Sequence, residues 1–215
     1  MKAVIFDMDG IIVDSEPISV EYSIKTRISM GIPQRTSEDD SFIGASGRDY
    51  IKQINQKLGT NFSVDEYLQK KDDAYLIGAK GRLIPFEGVL ELINSIHNSE
   101  FKMGVASSST NRRIHFTLDE LNIKHKFPVI VSGDEVESSK PHPEIYRIAA
   151  SRLGVRPEEC VAIEDSINGL ESAKAAGMKV VAVTNSFAKK KLTRADLVTD
   201  SLATINLEVL SELFK

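Results

Sequence analysis

The sequence predicts an α/β protein: a parallel sheet with helices on both faces, interrupted by an inserted helical unit. Three observations predict it. The runs Val4-Ile5-Phe6, Val161-Ala162-Ile163 and Val180-Val181-Ala182-Val183 are short, continuous and apolar, as strands buried on both faces are. Segments with helical spacing separate the runs at the intervals of a βαβ chain. Residues 16–82 carry helical patterns with no convincing strand among them.

The elements follow in order. Lys2 to Phe6 is a strand, and Asp7-Met8-Asp9-Gly10 follows it at once. Ser15-Glu16-Pro17 starts a helix, with a capping hydroxyl, an acid in the first turn and Pro where a missing N–H costs little. That helix runs to about Met30 and stops at Gly31. After a loop containing Pro33 and Phe42 to Gly47, a second helix carries Tyr50, Ile51, Ile54 and Leu58 on one face, and Gly59 ends it. Ser63 caps a third helix, with Glu66 placed to complete a capping box. Beyond the connector 83–88, Val89 to Ile96 has a helical stripe and 101–106 is a strand. The next helix carries Ile114, Leu118 and Leu121. A strand at 128–131 follows, then a helix from about Pro143 to Gly154. The strand 160–163, a helix over 168–176, the strand 179–183, a short strand at Leu197-Val198 and a last helix holding Ile205, Leu210 and Leu213 complete the chain.

Composition narrows the function classes. The chain has 215 residues, 41% hydrophobic and 27% charged, enough to build one or two packed domains. A net charge of −4 gives no pull toward nucleic acid or an anionic membrane. Lys189-Lys190-Lys191 is read as a solvated run, and the single cysteine, Cys160, as a core residue that excludes an internal disulfide. No apolar stretch approaches the roughly 20 residues of a membrane span. The start of the chain has no signal-peptide pattern, so a cytoplasmic location is expected.

The polar residues that follow the strands form one set. Asp7 and Asp9 follow the first strand, Ser107 the second, Glu164 and Asp165 a later one, and Lys140 lies in an intervening loop. In a parallel sheet these strand ends share one edge, where open α/β sheets bind ligands. On an extended backbone Asp7 and Asp9 would point the same way. Oxygen ligands suit a hard cation such as Mg²⁺, which neutralises phosphate oxygens, while a lysine and hydroxyl donors hold the remaining ones. The set is therefore what phosphoryl transfer needs. Ser107 is also placed to cap the helix after it, and the two readings are compatible.

Asp7-Met8-Asp9-Gly10 with Asp14-Ser15, Val105-Ala106-Ser107-Ser108-Ser109, Lys140-Pro141-His142-Pro143-Glu144-Ile145-Tyr146 and Ala162-Ile163-Glu164-Asp165-Ser166 resemble, in order and spacing, the four motifs of the haloacid dehalogenase superfamily. The resemblance implies a Rossmann-like core, residues 1–14 and 83–215, and a four-helix cap, residues 15–82. It implies that Asp7 is the nucleophile, forming an aspartyl-phosphate. It makes Asp9 the general acid, then the base that activates water. Ser107 would bind phosphate, and Lys140 would pair with Asp7 and the phosphate. Mg²⁺ would be held by Asp165 with Glu164, the Asp7 carboxylate and the Asp9 backbone carbonyl, Glu164 alternatively supporting a ligand. Gly10, Glu16, Arg48, Ser108 and Asn111 are the expected substrate contacts. Arg48 lies on the cap loop Gly44 to Asp49, where the family places specificity residues; the alternative is a solvated helix-start arginine.

The second aspartate favours phosphoryl transfer over dehalogenation. The chain is most similar to the β-phosphoglucomutase and sugar-phosphate phosphatase branch. The mutase pattern has a cap histidine where Ser19 stands, and a cap lysine that the stretch Tyr75 to Gly78 lacks. Gly47 also intervenes before Arg48 in the cap loop. These departures favour a Mg²⁺-dependent phosphatase acting on a small phosphorylated metabolite, a sugar phosphate being the expected class, with the enzyme a monomer by default. A phosphosugar mutase is the second reading and a catalytically weak binding protein the third.

Overall fold

Ala3–Phe6 forms β1, and all four of its residues are buried. An apolar strand of this kind needs a neighbour on each edge. In the computed structural model, which describes residues 1–33 and 47–215, those neighbours are β2 (Lys102–Ala106) and β4 (Cys160–Glu164), both parallel to β1. β3 (Val129–Val131) adds outside β2, and β5 (Lys179–Val183) and β6 (Leu197–Thr199) add outside β4. The sheet order is β3-β2-β1-β4-β5-β6, parallel throughout. The chain builds outward from β1 in one direction and restarts at β4 in the other. The strand-order reversal between β1 and β4 opens a crevice at their C-terminal ends.

Strand periodicity sorts the side chains between two cores. Val4 and Phe6 of β1, Val161 and Ile163 of β4, and Val181 and Val183 of β5 face one core. Helices α4 (Val89–His97), α5 (Asn111–Glu120) and α8 (Leu207–Glu212) cover that face, supplying Ile93, Ile114, Leu118 and Leu210. Ala3, Ile5, Cys160, Ala162, Val180 and Ala182 face the other, against α6 (Glu144–Leu153) and α7 (Ile167–Ala176). Burial pushes the Cys160 thiol up to about 12, as expected of an inert core cysteine. The Lys189–Lys191 run forms one exposed turn of 3₁₀ helix.

The chain divides into two compact units, residues 1–15 with 83–215, and residues 16–82. The second is helical among its described residues: α1 (Glu16–Ser29), α2 (Gly47–Leu58) and α3 (Val64–Ala79). Its core gathers Ile32, Tyr50, Ile51, Ile54 and Tyr67. Leu58 departs from the expected stripe: at the last position of α2 it is 48% exposed. Ser63 caps α3 by accepting the Glu66 N–H at 3.2 Å, while the Glu66 carboxylate turns to Lys70 at 2.8 Å. Phe42 to Ser46, and with them the first half of the cap loop Gly44 to Asp49, lie outside the described residues. No helix among the described residues is long and apolar enough to cross a membrane.

Phe6 packs edge-on against Phe127 at 6.0 Å between ring centroids and is fully buried beside the crevice. Phe6→Ala is expected to destabilise the sheet-bearing unit by about 3–5 kcal/mol, read from urea unfolding; a cost under about 1 kcal/mol would contradict this packing.

Candidate active site

The expected extended path from Asp7 to Asp9 is not what the chain takes. β1 ends at Phe6. The Met8 carbonyl then accepts N–H bonds from Ile11, Ile12 and Val13, which folds the segment into a tight turn. Gly10 completes it at φ +87°, and a Cβ there would collide with the Asp165 carboxylate, so both the backbone and the space require glycine. In consequence the two aspartates find different partners. Asp7 joins the residues on the α6 side of the sheet. Asp9 joins α5.

The first group is a buried charge cluster. Lys140 Nζ donates to Asp7 Oδ1 at 2.7 Å and to Glu164 Oε1 at 2.6 Å. It lies 3.1 Å from the Ala106 carbonyl and 4.9 Å from the Tyr146 ring centroid. The Tyr146 hydroxyl, from the first turn of α6, donates to Glu164 Oε1 at 2.7 Å. Glu164 is the last residue of β4 and is fully buried. Its Oε2 accepts the Ser166 hydroxyl at 3.0 Å and the N–H groups of Asp165 and Ser166 at 3.2 and 3.3 Å. Gly169 leaves room for that carboxylate, which a Cβ would strike. Asp165 accepts a short hydrogen bond from the Ser186 hydroxyl.

Asp7, Glu164 and Asp165 each offer an oxygen within 4.8 Å of the others. Three buried carboxylates face one ammonium, and the pKa shifts reflect the imbalance. Burial pushes the Asp7 carboxyl well above the usual range; Lys140 opposes this, while Glu164 and Asp165 add to it. Burial, then repulsion from Glu164, pushes Asp165 up to about 7. Burial disfavours the Lys140 cation, but the charges of Asp7 and Glu164 outweigh it and raise its pKa. The donor set is all oxygen and fits a hard cation such as Mg²⁺, which would supply the missing positive charge. Asp7 and Asp165 have the more open oxygens, since five donors already engage Glu164.

The second group surrounds Asp9. Its Oδ1 accepts from Arg113 Nη2 at 2.9 Å and, in a short bond, from Ser15 Oγ; its Oδ2 accepts from Ser109 Oγ at 2.6 Å. Burial works against the charge, but the Arg113 guanidinium and the two hydroxyls prevail and hold the Asp9 carboxyl below its usual range. A carboxylate held this way is a proton acceptor.

The other expected site residues separate by place. Ser107 is buried at the end of β2, and its Oγ accepts the Ser109 N–H at 3.1 Å. The cap of α5 is Thr110 rather than Ser107, because Ser107 is still extended and paired to the Val131 carbonyl through its own N–H. Ser108 is exposed in the same loop. Asn111 opens α5, its N–H bonded to Asp134 at 2.7 Å. Asn185 Nδ2 donates to the Gly10 carbonyl at 2.7 Å. Glu16 and Arg48 belong to the helical unit, where both are exposed and Arg48 pairs with Asp65 at 3.0 Å.

Sequence reasoning missed Arg113, Ser109, Tyr146, Asn185 and Ser186 as site groups. The strand-end rule, carried on to β5, points to Asn185 and Ser186 directly. Tyr146 has a helical-spacing signal, since it falls on the buried face of α6 with Ile145 and Ala149. Residue type does not distinguish Arg113 from Arg112, but helical spacing does: Arg113 lies beside Ile114 and four residues before Thr117, on the buried side of α5.

The chain is similar to known proteins in sequence and in fold. Residues 4–183 match the sequence model of the haloacid dehalogenase-like hydrolases. A Thermotoga maritima protein named phosphorylated carbohydrates phosphatase is 32% identical, over 83% of each chain. The beta-phosphoglucomutase of Bacillus subtilis is 31% identical, over 99% of this chain and 95% of its own. The crystal structure of beta-phosphoglucomutase from Clostridium difficile, 27% identical, superposes with a TM-score of 0.84 over 100% of this chain and 97% of the other.

The Asp165 carboxyl, at about 7 in the folded chain against an ordinary 3.8, makes the folded state bind more proton between those values. Its stability contribution is full below the lower value and is lost as pH rises through the upper one. In chelator, the melting temperature is expected to fall between about pH 5 and pH 8, and Asp165→Asn to flatten that slope. A wild-type curve with no slope would contradict the cluster's charge imbalance.

Proposed function

This chain belongs to the haloacid dehalogenase-like hydrolase family, and we propose that it is a Mg²⁺-dependent phosphatase that hydrolyses small phosphomonoesters, sugar phosphates first among them. The observation that carries the proposal is the Lys140 ammonium between Asp7 and Glu164, at 2.7 and 2.6 Å, with Asp165 beside them. The name of the Thermotoga maritima relative supports the substrate class. The unit of residues 1–15 and 83–215 is the proposed catalytic core, and residues 16–82 the proposed cap.

In the proposed reaction, Asp7 attacks phosphorus and carries the phosphoryl group as an aspartyl-phosphate. Lys140 holds the Asp7 carboxylate in place and offers positive charge to the oxygens transferred with it. Ser107 is the proposed hydroxyl contact to the phosphate. Mg²⁺, held by Asp7, Asp165 and the Asp9 carbonyl, would supply charge neutralisation at the phosphate. Glu164 orients Lys140 and Tyr146 and completes the acidic face toward the ion. Asp9 takes the proton of the attacking water in the second half-reaction, for which its ionised resting form suits it. Delivery of a proton to the leaving alcohol in the first half requires that Asp9 be protonated once substrate is bound.

A second reading, transfer back to a sugar as in a phosphosugar mutase, is favoured by the Bacillus subtilis relative, which aligns with 99% of this chain. Ser19 on α1, where the mutase pattern has histidine, weighs against it.

Phosphate release from a panel of sugar phosphates and other phosphomonoesters tests both. Release is expected with Mg²⁺, not with chelator. Asp7→Asn is expected to abolish it, and Asp9→Asn to lower kcat by about 10²–10⁴-fold. Conversion of β-glucose 1-phosphate to glucose 6-phosphate with a bisphosphate primer, and little release, would overturn the phosphatase in favour of the mutase. Undiminished turnover by Asp7→Asn would sink both.

A further inference from the structure

We infer that Arg113 is a positioning residue for the proposed reaction, docking the Asp9 carboxylate against α5 so that one carboxylate lone pair stays aimed at the reacting oxygen. The inference rests on the reading of Asp9 as the proton carrier.

Three donors from three segments meet on this carboxylate. Ser15 comes from the loop after β1, Ser109 from the loop after β2, and Arg113 from the first turn of α5. A carboxylate has about four lone-pair sites. Arg113 and Ser15 take both on Oδ1, and Ser109 takes one on Oδ2, leaving one on Oδ2. The two hydroxyls, one on each oxygen, restrain its last torsion but carry no charge. The guanidinium adds a planar, charge-assisted anchor that a hydroxyl cannot replace.

The anchor is itself fixed. The Arg113 side chain is 9% exposed, and the same Nη2 that meets Asp9 lies 3.3 Å from Ser15 Oγ. Its backbone N–H donates to the Thr110 cap at 3.4 Å. Ile114 and Leu118 bury the helix against the sheet. α5 thus holds the guanidinium at a set distance from the end of β1, so the Asp9 carboxylate is located by the sheet and not by its own short loop. A buried cation is costly to keep unless it is paired, and Asp9 is the carboxylate it pairs with.

Steady-state kinetics of Arg113→Ala, Arg113→Lys, Asp9→Asn and the Asp9→Asn/Arg113→Ala double variant test this on the best phosphomonoester of the panel, with melting curves alongside. Arg113→Ala is expected to lower kcat about 10²-fold while KM stays within about threefold, because orientation and not affinity is lost. Arg113→Lys restores part of kcat. In the Asp9→Asn background, Arg113→Ala lowers the residual turnover no further, as two parts of one device behave. Unchanged kcat in a folded Arg113→Ala, a loss carried by KM, or an equal loss in both backgrounds would each overturn the inference. If Arg113→Ala fails to fold, Arg113→Lys and Ser109→Ala carry the comparison, both expected to lose kcat with KM retained. If the wild type turns over no phosphomonoester, it is the proposed function that fails. The dock is then read by NMR: hindered Arg113 guanidinium rotation in the wild type, released in Asp9→Asn, supports it, and free rotation in the wild type removes it.

Discussion

The contact on which this site depends is the Lys140 ammonium held between Asp7 and Glu164. Both carboxylates are buried, and so is the lysine. Buried charges of one sign are tolerable only with a partner close by. Lys140 gives each a short, charge-assisted bond, and Tyr146 and the Ser166 turn take up what remains of Glu164. Without the ammonium the ends of β1 and β4 would repel each other across the crevice. With it they leave Asp7 and Asp165 exposed to one another and still short of positive charge. That shortage is one a hard cation would relieve.

The two aspartates near the end of β1 illustrate how environment separates chemically identical groups. Asp7 sits among like charges in a buried place, which raises its affinity for protons and cations. Asp9, two residues later, sits beside an arginine and two hydroxyls, which lowers its affinity for protons. The separation depends on the turn at Met8 and Gly10, which sends one side chain toward α6 and the other toward α5.

The sheet supplies the rigidity. β1 is the central strand from which the order runs both ways, and its neighbours β2 and β4 deliver Ser107 and Glu164 at the same edge. Each strand is packed on both faces, so the strand ends cannot drift independently. Groups carried on such ends hold the sub-ångström placement that phosphoryl transfer requires.

Much of this was legible in the chain as a string of residues. Continuous apolar runs, interleaved with helical spacing, identify a two-faced parallel sheet because burial on both faces leaves no polar alternation. Asp7 and Asp165 were readable because they follow strands at one edge, and a parallel sheet brings such positions together; Lys140, in a loop well past β3, was readable through the Lys140-Pro141-His142-Pro143 motif. The partners of Asp9 were not readable. The Ile114 and Leu118 stripe turns Arg113 rather than its neighbour Arg112 toward the sheet, but which carboxylate it meets there is set by tertiary packing. Gly10 marks a turn after Asp7, but the three N–H groups that converge on the Met8 carbonyl, and so the directions in which the two aspartates leave it, were hidden. Local sequence records which groups are present and on which edge they emerge. How those groups divide into a cation cluster and an arginine dock follows from long-range packing, which couples residues 104 positions apart in the chain.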